Sequence, residues 1–332
     1  MSVAADERGN GGSTHGPVSA ARALGSAPWL FSFLGSAALL VAIASLSGVG
    51  PASQVLSAAL TFGTFFVIVA LGQMLVVTLG PGNVDLSIPA CMTLAGTVAM
   101  RVMGGSDGWI VPGLLAALGV GLAVGAFNLA LIRLLRIPPI IATLSASFVV
   151  QSMAIWLNRG FRIKPPEWLA DFTTTRVLGV PLIAVLALVL SVLVHVALTR
   201  TIYGRTVLAI GQNRRAAGLA GLAVGRTEIV TYLACATLAA FTGALLAGFS
   251  GGAALNMGEE YLLASIAVVV IGGTSVAGGN ANVPGLWGAA LFLFLVTSLL
   301  NTLGVGAGVR LFATGAIIVA VIVAASAGRV RR

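Results

Sequence analysis

Charge is what this sequence has least of. Only 8% of its 332 residues are Asp, Glu, Lys or Arg, while 58% are hydrophobic. A soluble domain averages about 25% charged residues, so the chain has too little polar material to cover a surface in water. Its one lysine, Lys164, stands in no Gly-x-x-x-x-Gly-Lys-Ser/Thr string, so no phosphate-binding loop is expected and the chain should not hydrolyse ATP by itself. Cysteine is scarce too: Cys91 and Cys235 both fall in apolar runs and read as buried small residues rather than a disulfide or a metal site. His15 and His195 are isolated, which argues against metal ligation. No Ser/His/Asp or Cys/His set can be assembled, so no enzyme is expected.

What the sequence has in abundance is long apolar runs. They lie at about 29–49, 55–79, 85–103, 110–132, 139–158, 181–199, 227–250, 260–276, 284–302 and 310–327. Lipid offers the backbone no hydrogen-bond partners, so a continuous run must be a helix. A membrane β-barrel would need shorter, alternating segments. The expected fold is all-α, a polytopic helical membrane protein of about ten transmembrane helices. With the N-terminus inside, the inner segments hold Arg8, Arg22, Arg133, Arg136, Arg200, Arg205, Arg214, Arg215, Arg226, Arg329, Arg331 and Arg332. The outer ones hold Arg101, Arg159, Arg162, Lys164, Arg176 and Arg310, so the count is 12 against 6. Positive charge collects on the cytoplasmic side, which sets both termini there.

The net charge of +9 therefore fits topology and anionic lipid headgroups. No soluble basic region exists to hold nucleic acid. Residues 1–28 are polar and rich in Gly and Ser and read as a disordered cytoplasmic tail. The apolar run that follows is too long for a signal-peptide core and is read as an uncleaved first span. The membrane domain is set at 29–327, followed by a short basic tail at 328–332.

Two loops are long enough to work. Loop 159–180 falls outside and mixes Pro, Trp and both charge signs. Loop 200–226 falls inside, with five arginines, no acid, and small residues suited to a short amphipathic helix. Gly121 and Gly125 lie four apart in "GLAVG", a spacing that lets membrane helices approach closely. The same five letters recur at 221–225, but residues this common repeat by chance, and no internal repeat is inferred.

Ion-coupled transporters carry ionisable residues at mid-membrane. Here no acid falls at the middle of a run, and Asp85, Arg101 and Arg310 all sit at run ends. These absences together suggest a translocation pore powered from elsewhere. Asp85 belongs to the break "LGPGNVDLSIP" at 79–89. Pro81 and Gly82 stop one helix, Asn83 or Ser87 can cap the next, and an acid near that N-terminus suits the helix dipole. Asp85 is expected to order this inner-side turn rather than to bind substrate.

Three further strings then arrive in order: "YGRTVLAIGQNRRAAGLAGLAV" at 203–224, "IAVVVIGGTSVAGGN" at 266–280 and "LLNTLGV" at 299–305. With "VTLGPGNVDLSIPACMTLAG" at 77–96, they resemble the permease subunit of bacterial ABC importers of the ribose type, the monosaccharide-uptake class. The resemblance covers about residues 55–325. It implies that 204–222 is the cytoplasmic coupling segment that docks on a separate ATPase subunit, through Gly204, Arg205, Gly211, Asn213, Ala216, Leu219 and Gly221. Arg214, followed by Arg215, stands where the family often has an acid, which suggests a partner with a more acidic groove. Asn213 can cap the docking helix.

The resemblance also marks Gly272, Gly273, Thr274, Ser275, Gly278 and Gly279 as a turn near the inner gate, read as re-entrant, because glycine permits tight backbone approach. Ala281 replaces a family glycine, and Leu262 and Ala264 replace family acids. Glu259 and Glu260 are expected to supply that outer-face acidity instead. At the helix-start motif Asp85, Leu86 and Ser87 match, while Asn83 and Pro89 replace glycines. Asn301 matches a family asparagine and is read either as interhelical glue or as a pathway residue. Asn128, Gln73 and Gln151 carry the same two readings, since an amide in a span needs a partner.

The implied function is the pore of an ATP-driven importer for a sugar or polyol, working by alternating access. Its implied partners are cytoplasmic ATP-binding subunits, a periplasmic substrate-binding protein, a second permease copy or paralogue, and the lipid bilayer of the bacterial inner membrane. No cofactor is expected in this chain, since ATP and magnesium would bind the ATPase subunit. A branched-chain amino-acid permease, an ion-coupled secondary transporter and a membrane-integrated enzyme stay open as alternatives.

Overall fold

A computed structural model describes residues 28–159 and 163–330. Most of the expected N-terminal tail, and the last two residues of the C-terminal one, lie outside the described residues. The helices are α1 (Pro28–Ser47), α2 (Val49–Thr78), α3 (Ile88–Met103), α4 (Ile110–Arg133), α5 (Pro139–Asn158), α6 (Glu167–Thr174), α7 (Leu182–Arg200), α8 (Ile202–Gln212), α9 (Arg214–Leu219), α10 (Val224–Phe249), α11 (Glu260–Ile271), α12 (Val283–Thr302) and α13 (Ala307–Val330). Each of the ten apolar runs is matched by a helix that covers most of it. Seven are long and apolar enough to cross a membrane, while Ile88–Met103, Glu260–Ile271 and the apolar part of α13, Gly308–Ile317, are shorter.

Two long helices form the centre. α2 and α10 are buried along most of their length, and α3, α4, α11 and α12 pack around them. α5 and α7 lie at the periphery and expose Phe148, Trp156, Leu188 and Leu193, an apolar outer surface suited to lipid. The "GLAVG" glycines explain one central contact. A Cβ at Gly121 would lie 2.7 Å from Thr237 Cα and one at Gly125 would lie 3.1 Å from Leu233 Cα. So α4 rests directly on the α10 backbone. The second copy of that string does something else: Gly221 has φ 77 in a turn and Gly225 lies beside the Arg133 side chain. Cys91 and Cys235 are free and buried.

Loop 159–180 contains α6 and a two-residue hairpin, β1 (Arg176–Val177) with β2 (Val180–Pro181), paired Arg176 to Pro181 and Val177 to Val180. Leu178 and Gly179 both have positive φ, 53 and 82, the pattern of a type I′ turn. Loop 200–226 contains two short helices, α8 and α9, rather than one. α11 ends at Ile271, short of the expected 276, where Gly272 and Gly273 (φ 91) turn the chain. α13 runs past the expected boundary at 327 to Val330.

Two irregular segments enter the bundle and account for the short α3 and α11. Asp85 N donates to Gln73 Oε1 at 3.3 Å. Gln73 lies five residues before the end of α2, so Asp85 sits about 7 Å inside that end at 1.5 Å per residue. From the opposite end, segment 250–259 passes Asn158 and Gln151, whose amides donate to Ala253 O (3.5 Å) and Leu255 O (2.9 Å). It then reaches the start of α3, where Gly258 packs on the Pro89 backbone. The chain can do this only because other helices surround the free backbone groups. Glu259 and Glu260 consequently start α11 at the depth of the α3 N-terminus, not at the outer face where the sequence put them.

Candidate functional site

The break at 79–89 is a folded polar knot. Gly80 (φ 125) and Gly82 (φ 80) turn the chain out of α2. Asn83 closes the turn, donating from its backbone and side-chain nitrogens to Gly80 O at 3.3 and 3.2 Å, and Tyr232 of α10 donates to Asn83 Oδ1 at 3.0 Å. Ser87 stands at the N-cap position of α3, yet its side chain makes no capping bond. Asp85 does the work expected of a cap: its Oδ1 accepts from Ser87 N at 2.9 Å and from Ser87 Oγ at 2.6 Å. Asn83, the other cap foreseen from the sequence, faces α10 instead.

Asp85 is 1% exposed, and every neighbour in its shell is buried. Asn128 of α4 donates to Ser87 Oγ at 2.8 Å and approaches Asp85 Oδ1 at 3.5 Å, and Thr143 Oγ1 of α5 accepts from Leu86 N at 3.0 Å. The Cys235 thiol of α10 lies beside the carboxylate. Groups from α2, α4 and α10 and the start of α3 therefore meet Asp85, Thr143 of α5 holds the next residue, and among the described residues no salt bridge involves the acid. Among the described residues, Gln73 Nε2, Asn128 Oδ1 and Asp85 Oδ2 are buried without a hydrogen-bond partner. Such a half-satisfied network is costly to keep.

The glycine-rich turn and the coupling segment meet at the same end. Gly279 N donates to Thr78 O at 3.0 Å, tying the turn after α11 to the last residue of α2. A Cβ at Gly211 would fall onto Thr78 O and Gly279 N, and one at Gly278 (φ 87) onto Gly80 Cα. Three backbones touch with no side chain between them. The turn at 272–282 is itself closed: Asn282 Nδ2 donates to Gly272 O at 2.8 Å, Asn282 N to Thr274 Oγ1 at 3.3 Å, and Ser275 N to Asn280 O at 3.1 Å. Gly272, Gly273 and Thr274 are buried, while Val276 and Ala277 at the tip are exposed.

α8 begins on a Thr201 cap, Oγ1 accepting from Gly204 N at 3.3 Å, and Gly204 packs on the Leu198 backbone. Tyr203 OH and Thr231 Oγ1 share a hydrogen bond of 2.9 Å. Burial raises the Tyr203 phenol above its ordinary pKa range, so it stays neutral. α9 begins on Asn213, whose Oδ1 accepts from Ala216 N at 2.9 Å. Arg205, Arg215, Ala216, Leu219 and Gly221 are exposed, and Leu219 is 83% so. Arg214 does not point away with them, since it pairs with Glu228 of α10 at 2.9 Å, and Glu228 also pairs with Arg133 of α4 at 3.0 Å. A basin of about 910 Å³ opens between the α2–α3 turn, the α4–α5 turn and the α8–α9 corner.

The helix-start motif, the glycine turn and the coupling segment thus form one constellation. Asn301 is not part of it. It is exposed near the end of α12 and accepts from the Arg310 guanidinium at the start of α13. No motif or spacing singled out Tyr232, Thr143, Arg133 or Glu228. An acid two residues after Arg226, at the edge of an apolar run, was the one available sign of the last.

The profile of the family described as "Branched-chain amino acid transport system / permease component" matches residues 55–326. The chain belongs to this permease family. Among its relatives, the probable ABC transporter permease protein y4mJ of Sinorhizobium fredii is 32% identical over 265 residues, covering 79% of this chain and 78% of that one. The ribose import permease protein RbsC of Escherichia coli is 30% identical over 285 residues, 83% and 88% of the two chains. The fructose import permease protein FruF of Bifidobacterium longum is 29% identical over 252 residues, 73% and 69%. No solved structure matches. This permease is accordingly a transport component of an ABC system and a multi-pass protein of the inner membrane.

Proposed function

We propose that this permease forms one half of the pathway of an ATP-driven importer for a sugar or polyol. The carrying observation is the backbone contact of Gly211 with Thr78 and Gly279. It gives the docking segment a direct hold on the end of α2 and on the turn before α12. In this reading separate cytoplasmic ATP-binding subunits, which hold ATP and magnesium, seat on α8 and α9. Their closure moves α8, and α8 moves the inner ends of α2 and of the α11–α12 turn. The Asp85 knot lies beside those ends and releases or holds segment 79–87 as the inner gate. A periplasmic binding protein delivers solute at the other face, and a second permease copy or paralogue completes the pathway. Both termini are cytoplasmic and ten helical segments make up the membrane domain.

The sugar class rests on relatives named for the import of ribose, fructose and autoinducer 2 and on the Gly-Gly-Thr-Ser string. The family description names branched-chain amino acids, which makes an amino acid the second candidate solute. The test is purification of the transporter with its partners, followed by a thermal-shift screen of the binding protein against pentoses, hexoses, polyols and branched-chain amino acids. A sugar or polyol is expected to raise its melting temperature. A response to amino acids alone would move the reading to the second solute. Uptake by this chain in vesicles without any ATPase would replace the whole mechanism by secondary transport.

A further inference from the structure

The coupling segment has a second tie to the membrane helices, and it is electrostatic. Glu228, near the start of α10, receives two guanidinium groups on its two oxygens, Arg133 Nη2 at 3.0 Å and Arg214 Nη2 at 2.9 Å. Arg133 is the last residue of α4 and also donates to Gly225 O, in the first turn of α10. Arg214 is the first residue of α9. One carboxylate therefore joins α4, α9 and α10. α9 packs chiefly on α8 and only lightly on α10, so this bridge is a main link between the docking helix and the spanning helices. Arg214 also needs a counter-charge where it stands, because the free N–H groups of a helix start disfavour a cation. The Glu228 side chain is 15% exposed, against 69% for Arg214. The acid is a fixed anchor and the arginine is the part free to move.

We infer that Glu228 is a positioning residue for energy coupling: it clamps α9 to the ends of α4 and α10, so that displacement of α9 is delivered to both. This rests on the reading of α8 and α9 as the seat of the ATP-binding subunits. It also reassigns Arg214. An arginine where an acid is common no longer demands an unusually acidic partner, because its charge is answered within the chain. Arg215 and Leu219 are left to face the partner. A partly exposed ion pair is weak, which suits a link that must break and re-form in each cycle.

The test uses the complete transporter, with ATP-binding subunits and binding protein, in liposomes, and measures uptake and ATP hydrolysis together. Glu228→Gln is expected to retain the ATP-binding subunits and hydrolysis while uptake per ATP falls about fivefold, the low end of typical coupling between sites. Arg214→Gln is expected to lower the same ratio, and the double variant to lose no more than either single one, since both remove one link. Glu228→Asp, which keeps the charge, is expected to recover part of the ratio. An unchanged ratio in Glu228→Gln, or losses that multiply in the double variant, would overturn the clamp. Should Glu228→Gln fail to assemble, the exposed Arg214→Gln supplies the same reading, and an unchanged ratio there overturns the clamp equally. A failure of the docking reading looks different: ATP-binding subunits would stay bound to a chain carrying Arg215→Glu with Leu219→Asp.

Discussion

Asp85 ties together much of the local structure around segment 79–87. It organises the start of α3 through Ser87, has Asn128 of α4 and Cys235 of α10 beside its carboxylate, and donates its backbone N–H to Gln73 of α2. Asp85→Asn keeps the shape and removes the charge. The expected outcome is a permease that assembles with its partners and loses most uptake, read by transport assay beside co-purification. Altered solute preference with normal rates would instead make Asp85 a substrate ligand. Asn213 gives a second residue-scale prediction. Loss of an N-cap costs about 1 kcal/mol, so Asn213→Ala is expected to raise amide exchange across α9 and to weaken recovery of the ATP-binding subunits, with the rest of the chain unchanged in exchange. Much of this was visible in the sequence. Pro81 between Gly80 and Gly82 marked a break, and Asn213 marked a helix start. Which residue caps α3 was not legible, because Asn83, Asp85 and Ser87 are all capping types and only the positions of Tyr232 and Gln73 decide among them.

At the scale of elements, hydropathy located the helices and could not give their depth. α3 and α11 are apolar from end to end, yet α3 starts inside the bundle and α11 starts beside it. Nothing local to 79–87 or 250–259 says that these segments fold inward, because that depends on which helices surround them. The pairing of loop 200–226 with the glycine turn was hidden for the same reason: the partners are far apart in sequence and touch through backbone atoms. The contact makes a sharp prediction. Gly211→Ala places a methyl group against Thr78 O and Gly279 N and is expected to abolish uptake while α8 and α9 still bind the ATP-binding subunits. Gly218→Ala, on the open side of α9 where an added Cβ meets nothing within 4 Å, is expected to be silent in the same assay. Equal behaviour of the two variants would remove the contact from the mechanism.

For the molecule as a whole, the arginine count sets an orientation that can be checked directly. With both native cysteines buried, a single cysteine added at Arg205 or at Leu178 is the one accessible thiol among the described residues. Arg205→Cys is expected to react with an impermeant maleimide only from the cytoplasmic side, and Leu178→Cys only from the periplasmic side. Labelling of both from one side would refute the ten-segment topology. The pattern of burial agrees with a protein that meets lipid along α5 and α7 and keeps its polar groups around α2 and α10.

The glycine contact divides two tasks that a transporter could have mixed. In the proposed mechanism the Gly211 contact passes motion through main-chain atoms, where an added Cβ has no room, while the Arg214–Glu228 bridge is the side-chain link beside it. On the same proposal the choice of partner falls to exposed side chains such as Arg215 and Leu219. A lineage can therefore exchange one ATP-binding subunit for another by changing a few exposed residues of α9, without rebuilding the gate. Grafting the outward residues of α9 from a relative onto this chain should transfer the choice of ATPase and leave the solute unchanged.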